Sequence, residues 1–378
     1  MRAWSYRSRR VGSIPSRFLP GLMRCSGAVR SINYRRHTPA KACMARNSLV
    51  STLRETTVMQ PNPVVVIPGD DPPQLQGSPH LERLKSQGEV ILHADRPPTV
   101  EDQVRRAGNA VCLINSRGAV KWPGEVLRGL PSLKMITACG IGTDAIDLET
   151  AGKLGIVVCN LPGQTASIVA EHALALMLAV ARRAWFQTNE LKSGRWTSRD
   201  NIYLRGKMLG LVGAGSIAAE LARLGKAIGM EVLAWTFHPF PERAAKLGVT
   251  FVSLEELLSR SDVVSLHVRL TEESRGLIGA EQIRRMKRGA MLINTARGPV
   301  VESAALVNAL NSGQLGGAGI DVFDDEPIAA GHPLLACQQV VLTPHNADQT
   351  PEGMELLNAG VVDNVIAFLQ GCPRNRVA

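Results

Sequence analysis

One short segment of this 378-residue chain constrains its fold more than any other. Residues 208–212 have the apolar character of a buried strand, and they run directly into Gly213-Ala214-Gly215-Ser216-Ile217-Ala218. A helix pattern over residues 219–228 and a second strand pattern over residues 231–235 follow. Two parallel strands joined by a crossover helix form a βαβ unit, which belongs to an α/β sheet covered by helices. The segment therefore predicts a doubly wound parallel sheet.

The turn itself has the composition of a phosphate-binding loop. Gly213 allows a tight turn, Gly215 lets the backbone approach a ligand, and Ala218 is small enough for the helix to pack on the strand. Ser216 and Ile217 of the turn lead into the N-terminus of the helix, whose free backbone amides and positive dipole end would hold negative phosphates. In this context the motif predicts a site for the pyrophosphate of NAD or NADP. The alternative is a glycine turn in an ordinary βαβ unit.

Strand and helix patterns alternate along most of the chain. Before the glycine turn, short strands are predicted at residues 64–67, 90–92, 110–114, 134–138 and 156–158. From the turn onward, strands are predicted at residues 208–212, 231–235, 263–266, 290–294, 318–320 and 340–342. A long helix pattern over residues 168–183 separates the two series, and another covers residues 351–369. The fold class is therefore α/β, with two parallel-sheet lobes.

The net charge of +10 lies almost entirely in the N-terminal segment. Residues 1–58 contain 12 Lys and Arg residues and one acid, Glu55, so this segment carries +11 and the rest of the chain −1. A broad basic face on the folded body is not expected, which argues against nucleic acid as a partner. No apolar run approaches the roughly 20 residues of a membrane span, so no membrane partner is predicted. No His/Cys spacing predicts a metal site.

The basic segment has two interpretations. Its many Arg and Ser residues, with almost no acids, are typical of a mitochondrial transit peptide. Alternatively, it precedes the true start, since Met23, Met44 or Met59 could begin a shorter chain. The sequence predicts a cytoplasmic protein if the segment is not a targeting signal, and a mitochondrial matrix protein if it is.

The residue after the second strand of the βαβ unit bears on the choice of cofactor. An NAD site usually offers Asp or Glu to the ribose about 20 residues after the glycine turn. Thr236 occupies that position, with His238 and Arg243 nearby. Threonine carries no charge that would repel a 2′-phosphate, so both NAD and NADP stay open.

Three residues suited to carboxylate binding and proton transfer follow the glycine turn. Arg297 comes just after the strand at residues 290–294, with Thr295 between them, at the edge where α/β sheets bind ligands. Its planar group matches a carboxylate with two hydrogen bonds. Glu326 lies in an acidic loop, and His345 follows the last strand pattern. A histidine can give a proton to a substrate oxygen, and a nearby carboxylate favours its charged form. Taken singly, Arg297 could equally be a surface arginine, Glu326 a solvated acid and His345 an ordinary loop histidine.

With these motifs the sequence resembles the D-2-hydroxyacid dehydrogenase family over about residues 62–372. Several further segments carry the resemblance. They are Cys139–Asp144 with Ile146-Asp147, Gly155–Asn160, Val169–His172, Gly206-Lys207, Leu266-His267 and Gly319–Phe323. Three positions depart from the family pattern, namely Thr236, Arg269 and Asp348, and they leave substrate and cofactor open.

The resemblance implies an enzyme that transfers a hydride between NAD or NADP and C2 of a small D-2-hydroxy acid or 2-oxo acid. It implies a Rossmann dinucleotide domain, residues 163–346, inserted into a flavodoxin-like substrate domain of residues 60–162 and 347–378. Arg297 would bind the substrate carboxylate and carbonyl.

The resemblance also implies further roles. His345 would act as acid and base with Glu326 as its partner, and Asp321 would contact the nicotinamide carboxamide. The substrate would face Arg117 and the backbone of Gly140-Ile141-Gly142. The helix that contains Glu171-His172 would join a homodimer interface.

Two alternatives stay open. A dinucleotide-sensing corepressor on the same fold would bind partners instead of turning over substrate. A formate dehydrogenase pairs its histidine with Gln, so Glu326 argues against it.

Overall fold

The computed structural model describes residues 62–118 and 120–378. The basic segment predicted at residues 1–58 lies outside the described residues. Within them, no helix is both long enough and apolar enough to cross a membrane.

The first sheet has five parallel strands: β1 (Val64–Ile67), β2 (Glu89–Leu92), β3 (Cys112–Asn115), β4 (Met135–Ala138) and β5 (Val157–Cys159). Their spatial order is β2-β1-β3-β4-β5, which is the flavodoxin-like order. Four short helices connect them: α1 (His80–Lys85), α2 (Val100–Ala107), α3 (Gly124–Arg128) and α4 (Leu148–Lys153). The predicted flavodoxin-like lobe is confirmed.

Two helices lead from the first sheet to the second, α5 (Ala166–Ala181) and α6 (Ala184–Lys192). The helix predicted over residues 168–183 corresponds to α5, but the continuation into α6 was not predicted. Arg183 separates the two helices because its backbone is left-handed, with φ +47°. A single arginine gives no local signal for that conformation, which non-glycine residues seldom adopt.

The second sheet has seven parallel strands: β6 (Met208–Val212), β7 (Glu231–Trp235), β8 (Thr250–Phe251), β9 (Val263–Leu266), β10 (Ala290–Asn294), β11 (Leu315–Ile320) and β12 (Val340–Leu342). Their order is β12-β11-β10-β9-β6-β7-β8. The chain reverses direction across the sheet between β6 and β9, as in a Rossmann fold. The edge strand β8 was not predicted, because it is only two residues long.

Helices cover both faces of the second sheet. They are α7 (Ser216–Ala227), α8 (Pro241–Leu247), α9 (Leu254–Arg260), α10 (Ala280–Arg285) and α11 (Ser303–Asn311). Alternate strand residues belong to different apolar clusters: Leu209 and Leu211 pack with α5 and α7, whereas Val212 packs with α9 to α11. Because side chains alternate across a strand, a sheet buried on both faces needs apolar residues throughout.

The last helix, α12 (Pro351–Leu369), packs against the first sheet although it follows the second in sequence. Its residues Leu357, Val361 and Val365 share an apolar cluster with Val65 and Ile67 of β1. Strands β4 and β10 are packed on both faces, because each contributes residues to two apolar clusters. This packing fixes the positions of the loops that follow the two strands.

Candidate active site

The glycine turn has the geometry that a dinucleotide-binding loop needs. Gly213 has φ +110°, and a Cβ there would lie 2.5 Å from the backbone oxygen of His267. Gly215 is the N-cap of α7, and a Cβ there would meet no described atom within 4 Å. The N-cap has no side chain to bind the first amides of α7, and the space beside Gly215 is open. Amides in this arrangement bind a dinucleotide pyrophosphate.

Three buried polar atoms that follow strands of the second sheet lack a hydrogen-bond partner among the described residues. They are Nδ1 of His267 after β9, Oγ1 of Thr295 after β10 and Oδ1 of Asn346 after β12. Buried polar atoms are nearly always paired, and α/β sheets bind ligands at this edge. These atoms therefore fit the polar groups of a dinucleotide. Burial lowers the pKa of His267 to about 4, so its ring is neutral at pH 7.

The end of β7 carries aromatic and cationic side chains. Trp235 and Phe237 stack edge to face, with ring centroids 4.7 Å apart, and Thr236 lies between them in sequence. The Arg243 guanidinium lies 5.7 Å from the ring centroid of Phe240. No carboxylate occupies positions 236–238, so this edge of the site lacks the acidic group that excludes a 2′-phosphate.

Glu326 and His345 form a close pair. Nδ1 of His345 lies 2.6 Å from Oε2 of Glu326, whose other oxygen accepts a hydrogen bond from the Phe323 amide at 3.1 Å. Burial acts to raise the pKa of Glu326, but its hydrogen bond to His345, the charge of His345 and that of Arg297 hold this pKa below its usual range. The carboxylate is therefore ionised at pH 7. Since an ionised carboxylate only accepts, Nδ1 of His345 carries the proton of this bond.

The loop that carries His345 is held in an unusual backbone conformation. His345 has φ +50°, and its amide donates to the backbone oxygen of Asp321 at 2.7 Å. The Asp321 carboxylate is fully buried and accepts hydrogen bonds from the Thr343 hydroxyl and from the amides of Asn346 and Ala347. A left-handed non-glycine residue costs on the order of 1–3 kcal/mol, so the surrounding bonds must hold it.

Arg297 lies at the end of β10, facing the loop after β4. Its Nε lies 3.0 Å from Oδ1 of Asp144, and its Nη1 lies 2.8 Å from the backbone oxygen of Ala296. A Cβ at Gly142 would lie 1.8 Å from Nη2 of Arg297. A side chain at position 142 would therefore displace this guanidinium from its present place.

The strand-end loops of the first sheet reach the same place. Arg117 has φ +52°, and its Nη2 lies 3.3 Å from the backbone oxygen of His345. Gly140 has φ +151°, and the side chain of Ile141 is 40% exposed. The structure therefore brings Arg117 and the 140–142 loop next to Arg297 and His345.

Two residues at this site were assigned no role by local sequence patterns. Asp144 contacts Arg297, and the side-chain amide of Gln349 contacts the Arg117 guanidinium. Both contacts join distant parts of the chain, so no local spacing could have indicated them.

A nucleotide-binding sheet, a second lobe and a facing set of arginine, glutamate and histidine define the chain as an NAD(P)-dependent oxidoreductase. The family model described as "D-isomer specific 2-hydroxyacid dehydrogenase, NAD binding domain" matches residues 174–347. The chain belongs to the D-isomer specific 2-hydroxyacid dehydrogenase family. It is an NAD- or NADP-dependent dehydrogenase that acts on the CH–OH group of 2-hydroxy acids.

Relatives of known name agree with this membership. A glyoxylate reductase of Korarchaeum cryptofilum is 39% identical over 298 residues, which cover 77% of this chain and 90% of the relative. A glycerate dehydrogenase of Methylorubrum extorquens is 39% identical over 290 residues, covering 74% of this chain and 89% of the relative. These names favour an enzyme over the corepressor alternative.

Solved structures agree as well. The D-lactate dehydrogenase of Aquifex aeolicus, complexed with NAD and lactic acid, superposes with a TM-score of 0.73 at 32% identity. The superposition covers 83% of this chain and 98% of that structure.

Proposed function

We propose that this enzyme reduces the C2 carbonyl of a small 2-oxo acid, with Arg297, Glu326 and His345 as its catalytic residues. The observation that carries the proposal is the 2.6 Å contact between Glu326 and His345 on two strand-end loops. Arg297 is close enough for its charge to lower the pKa of Glu326. NADH or NADPH, when bound, supplies the hydride that C2 accepts.

The three residues divide the remaining work. Arg297 binds the substrate carboxylate and polarises the carbonyl through its free N–H groups. His345 gives the proton on Nε2 to the carbonyl oxygen as that oxygen gains charge, and the N–H bond breaks as the O–H bond forms. Glu326 holds Nδ1 and stabilises the imidazolium before transfer. In the oxidative direction, the neutral Nε2 accepts the hydroxyl proton.

The cofactor is proposed to lie along the C-terminal edge of the second sheet. Gly213, Gly215, Ser216 and Ile217 would bind the pyrophosphate at the start of α7. Thr236 would accept a hydrogen bond from the ribose. The open space beside Gly215 supports this position.

Thr295 and Asp321 are proposed to serve the nicotinamide end of the cofactor. The unpaired Oγ1 of Thr295 supports its part in this proposal. The contact of Asp321 with the carboxamide stays a prediction, since its buried carboxylate already accepts three hydrogen bonds that fix the loop of His345.

Substrate is proposed to lie between Arg297 and the loops of the first sheet, where Arg117 and the backbone of Gly140, Ile141 and Gly142 would contact it. The corresponding division of the chain has a substrate domain of residues 60–162 and 347–378 and a dinucleotide domain of residues 163–346. The packing of α12 on β1 supports this division.

The substrate is proposed to be a two- or three-carbon 2-oxo acid. The relatives named glyoxylate reductase, glycerate dehydrogenase and D-lactate dehydrogenase support this size. The test is initial-rate reduction of glyoxylate, hydroxypyruvate and pyruvate with NADH and with NADPH, followed by chiral analysis of the three-carbon products. A D-product is expected. An L-product, or no turnover with any 2-oxo acid, would contradict the proposal.

The enzyme is proposed to form a homodimer through α5, α6 and the segment that follows. This surface exposes Trp185, Leu191, Trp196 and Tyr203, with Trp196 92% exposed. Large apolar side chains left exposed in one segment favour association with another protein surface. Light scattering after gel filtration should give twice the chain mass, and a monomer at micromolar concentration would contradict the proposal.

The compartment is proposed to be the cytoplasm, with the mitochondrial matrix as the alternative. The basic composition of residues 1–58 is the reason for the alternative. Cell fractionation of the full-length chain and of a chain that begins at Met59 distinguishes the two locations.

A further inference from the structure

Asp144 and Arg297 form an ion pair between the strand-end loops of the two sheets. Oδ1 of Asp144 lies 3.0 Å from Nε of Arg297, although the residues are 153 positions apart in sequence. Asp144 follows β4 of the first sheet, and Arg297 follows β10 of the second. A carboxylate of the protein thus contacts the group that is proposed to bind the carboxylate of the substrate.

The loop that carries Asp144 is anchored on both sides. On one side, the Leu161 amide donates to the backbone oxygen of Gly140 at 2.8 Å, and the Asn160 side chain donates to that of Ile141 at 2.8 Å. On the other side, the amide of the fully buried Trp122 donates to the backbone oxygen of Ala145 at 2.6 Å. The backbone on both sides of Asp144 is therefore anchored by bonds that do not involve Arg297.

The donors of Arg297 show what the pair does. A guanidinium has five N–H donors in one plane. Nε–H is directed to Asp144, and one Nη1–H is directed to the backbone oxygen of Ala296. Two bonds from different atoms of a planar group fix the orientation of its plane. The second Nη1–H and the Nη2–H beside it, which form the Nη1–Nη2 edge, remain for a ligand, and Nη2 faces the place where Gly142 lacks a Cβ.

A carboxylate beside Arg297 could instead compete with the substrate. The geometry argues against competition, because Asp144 contacts Nε while the available donors lie on the Nη1–Nη2 edge. A substrate carboxylate and carbonyl can bind that edge while the Asp144 contact stays intact.

We propose that Asp144 is a positioning residue, which aims the Nη1–Nη2 edge of Arg297 at the substrate by holding Nε. The proposal rests on the proposed role of Arg297. It predicts that the hydrogen bond from Nε matters more than the negative charge of Asp144.

The test compares Asp144→Ala with Asp144→Asn in the full-length enzyme. Asn keeps an oxygen that can accept from Nε, whereas Ala does not. Because the pair is partly exposed, losing its hydrogen bond should cost about 5- to 10-fold, and Asp144→Ala should lower kcat/KM for glyoxylate by that factor. It should raise the inhibition constant of oxamate, a 2-oxo acid analogue, by about the same factor. Asp144→Asn should stay within about threefold of wild type.

Two controls separate positioning from other effects. Glu149→Gln removes an acidic charge from the exposed surface of α4, where the carboxylate pairs with Lys153, and should leave kcat/KM unchanged. The NADH dissociation constant, measured by fluorescence, should change less than about twofold in all three variants, since direct pairwise effects are local.

Arg297→Ala distinguishes failure of this proposal from failure of the proposed function. Undiminished reduction by Arg297→Ala would overturn the role of Arg297 and with it the proposed function. If Arg297→Ala is impaired but Asp144→Ala equals wild type, only the positioning role is overturned. Asp144→Asn as impaired as Asp144→Ala, with an unchanged thermal midpoint, would also overturn it. In the Arg297→Ala background, Asp144→Ala should have almost no further effect, because the two changes remove one contact.

Discussion

Removing the charge of Glu326 should shift the pH dependence of the reduction. Reduction needs the protonated imidazole of His345, which loses its proton as the pH rises. The Glu326 carboxylate lies 2.6 Å from Nδ1 of this imidazole. Glu326→Gln keeps the size of the side chain but removes the charge, so the alkaline limb of the pH profile should move to lower pH.

The size of the shift follows from the geometry. Two unit charges about 4 Å apart attract with about 1 kcal/mol in water and about 4 kcal/mol near a protein surface. The side chains are 39% and 37% exposed, so solvent screens the pair and the lower part of this range applies. About 1–2 kcal/mol corresponds to a shift of about one pH unit, since one unit equals 1.36 kcal/mol.

The Glu326–His345 pair of the wild-type enzyme should persist on the acid side of the pH profile. Burial acts to raise the pKa of Glu326, but the contact with His345 lowers it by more, so this pKa lies below its usual range. A carboxyl group whose pKa is lowered in the folded protein stabilises the fold fully above its ordinary pKa. It loses this stabilising effect only as the pH falls through the lowered value. The pair should therefore persist in wild type down to below about pH 4, the ordinary range of a glutamate.

The assay is kcat/KM for reduction at each pH from 5 to 10, roughly the range in which histidine changes charge. Asp325→Asn is the matched control, because Asp325 is an exposed acid next to Glu326 in the same loop. Its profile should coincide with that of wild type. An unchanged alkaline limb in Glu326→Gln, or an equal shift in Asp325→Asn, would refute the assigned partnership.

Four further outcomes are expected. His345→Ala should lower the rate of reduction by about 10²–10⁴-fold with NADH binding unchanged in a fluorescence titration, and near-full activity would point to another acid. Gly213→Ala places a Cβ 2.5 Å from the His267 oxygen at φ +110°. This change should lower the thermal midpoint and weaken NADH binding. A wild-type NADH titration curve would contradict the proposed role of the tight turn. Because Thr236 replaces the usual acid, kcat/KM for NADH and NADPH should differ by less than about a hundredfold, or about 2.7 kcal/mol, and a larger NADH preference would contradict that reasoning. A chain that begins at Met59 should keep the midpoint and activity of the full chain, and a large loss of either would show that the basic segment supports the body.

Local patterns in the sequence were sufficient for most of the fold. Buried parallel strands are short apolar runs, and strands β6, β7, β9 and β10 have the predicted bounds. The start of α7 was predicted three residues late, because Ser216 to Ala218 were assigned to the turn. Their amides belong to the first helical turn. The shortest elements, such as β8, carry too few residues to show a period.

The sequence also indicated the sheet edge at which Arg297 and His345 lie, whereas the family resemblance selected them as a set. Arg297 follows a strand and His345 follows another, and the carboxyl ends of parallel strands share one edge of a sheet. The glycine turn is likewise contained in one short segment, whose small residues are required wherever the backbone turns tightly. These predictions depend on neighbours in sequence, which is why they could be made without coordinates.

Only the tertiary structure decided how these groups contact each other. The Asp144–Arg297 pair and the contact of Arg117 with the His345 backbone join loops of two sheets that are far apart in sequence. The left-handed backbone at His345 depends on the buried carboxylate of Asp321, which is not its neighbour in sequence. Contacts of this kind arise from the packing of complete lobes, and packing depends on every residue of the core at once.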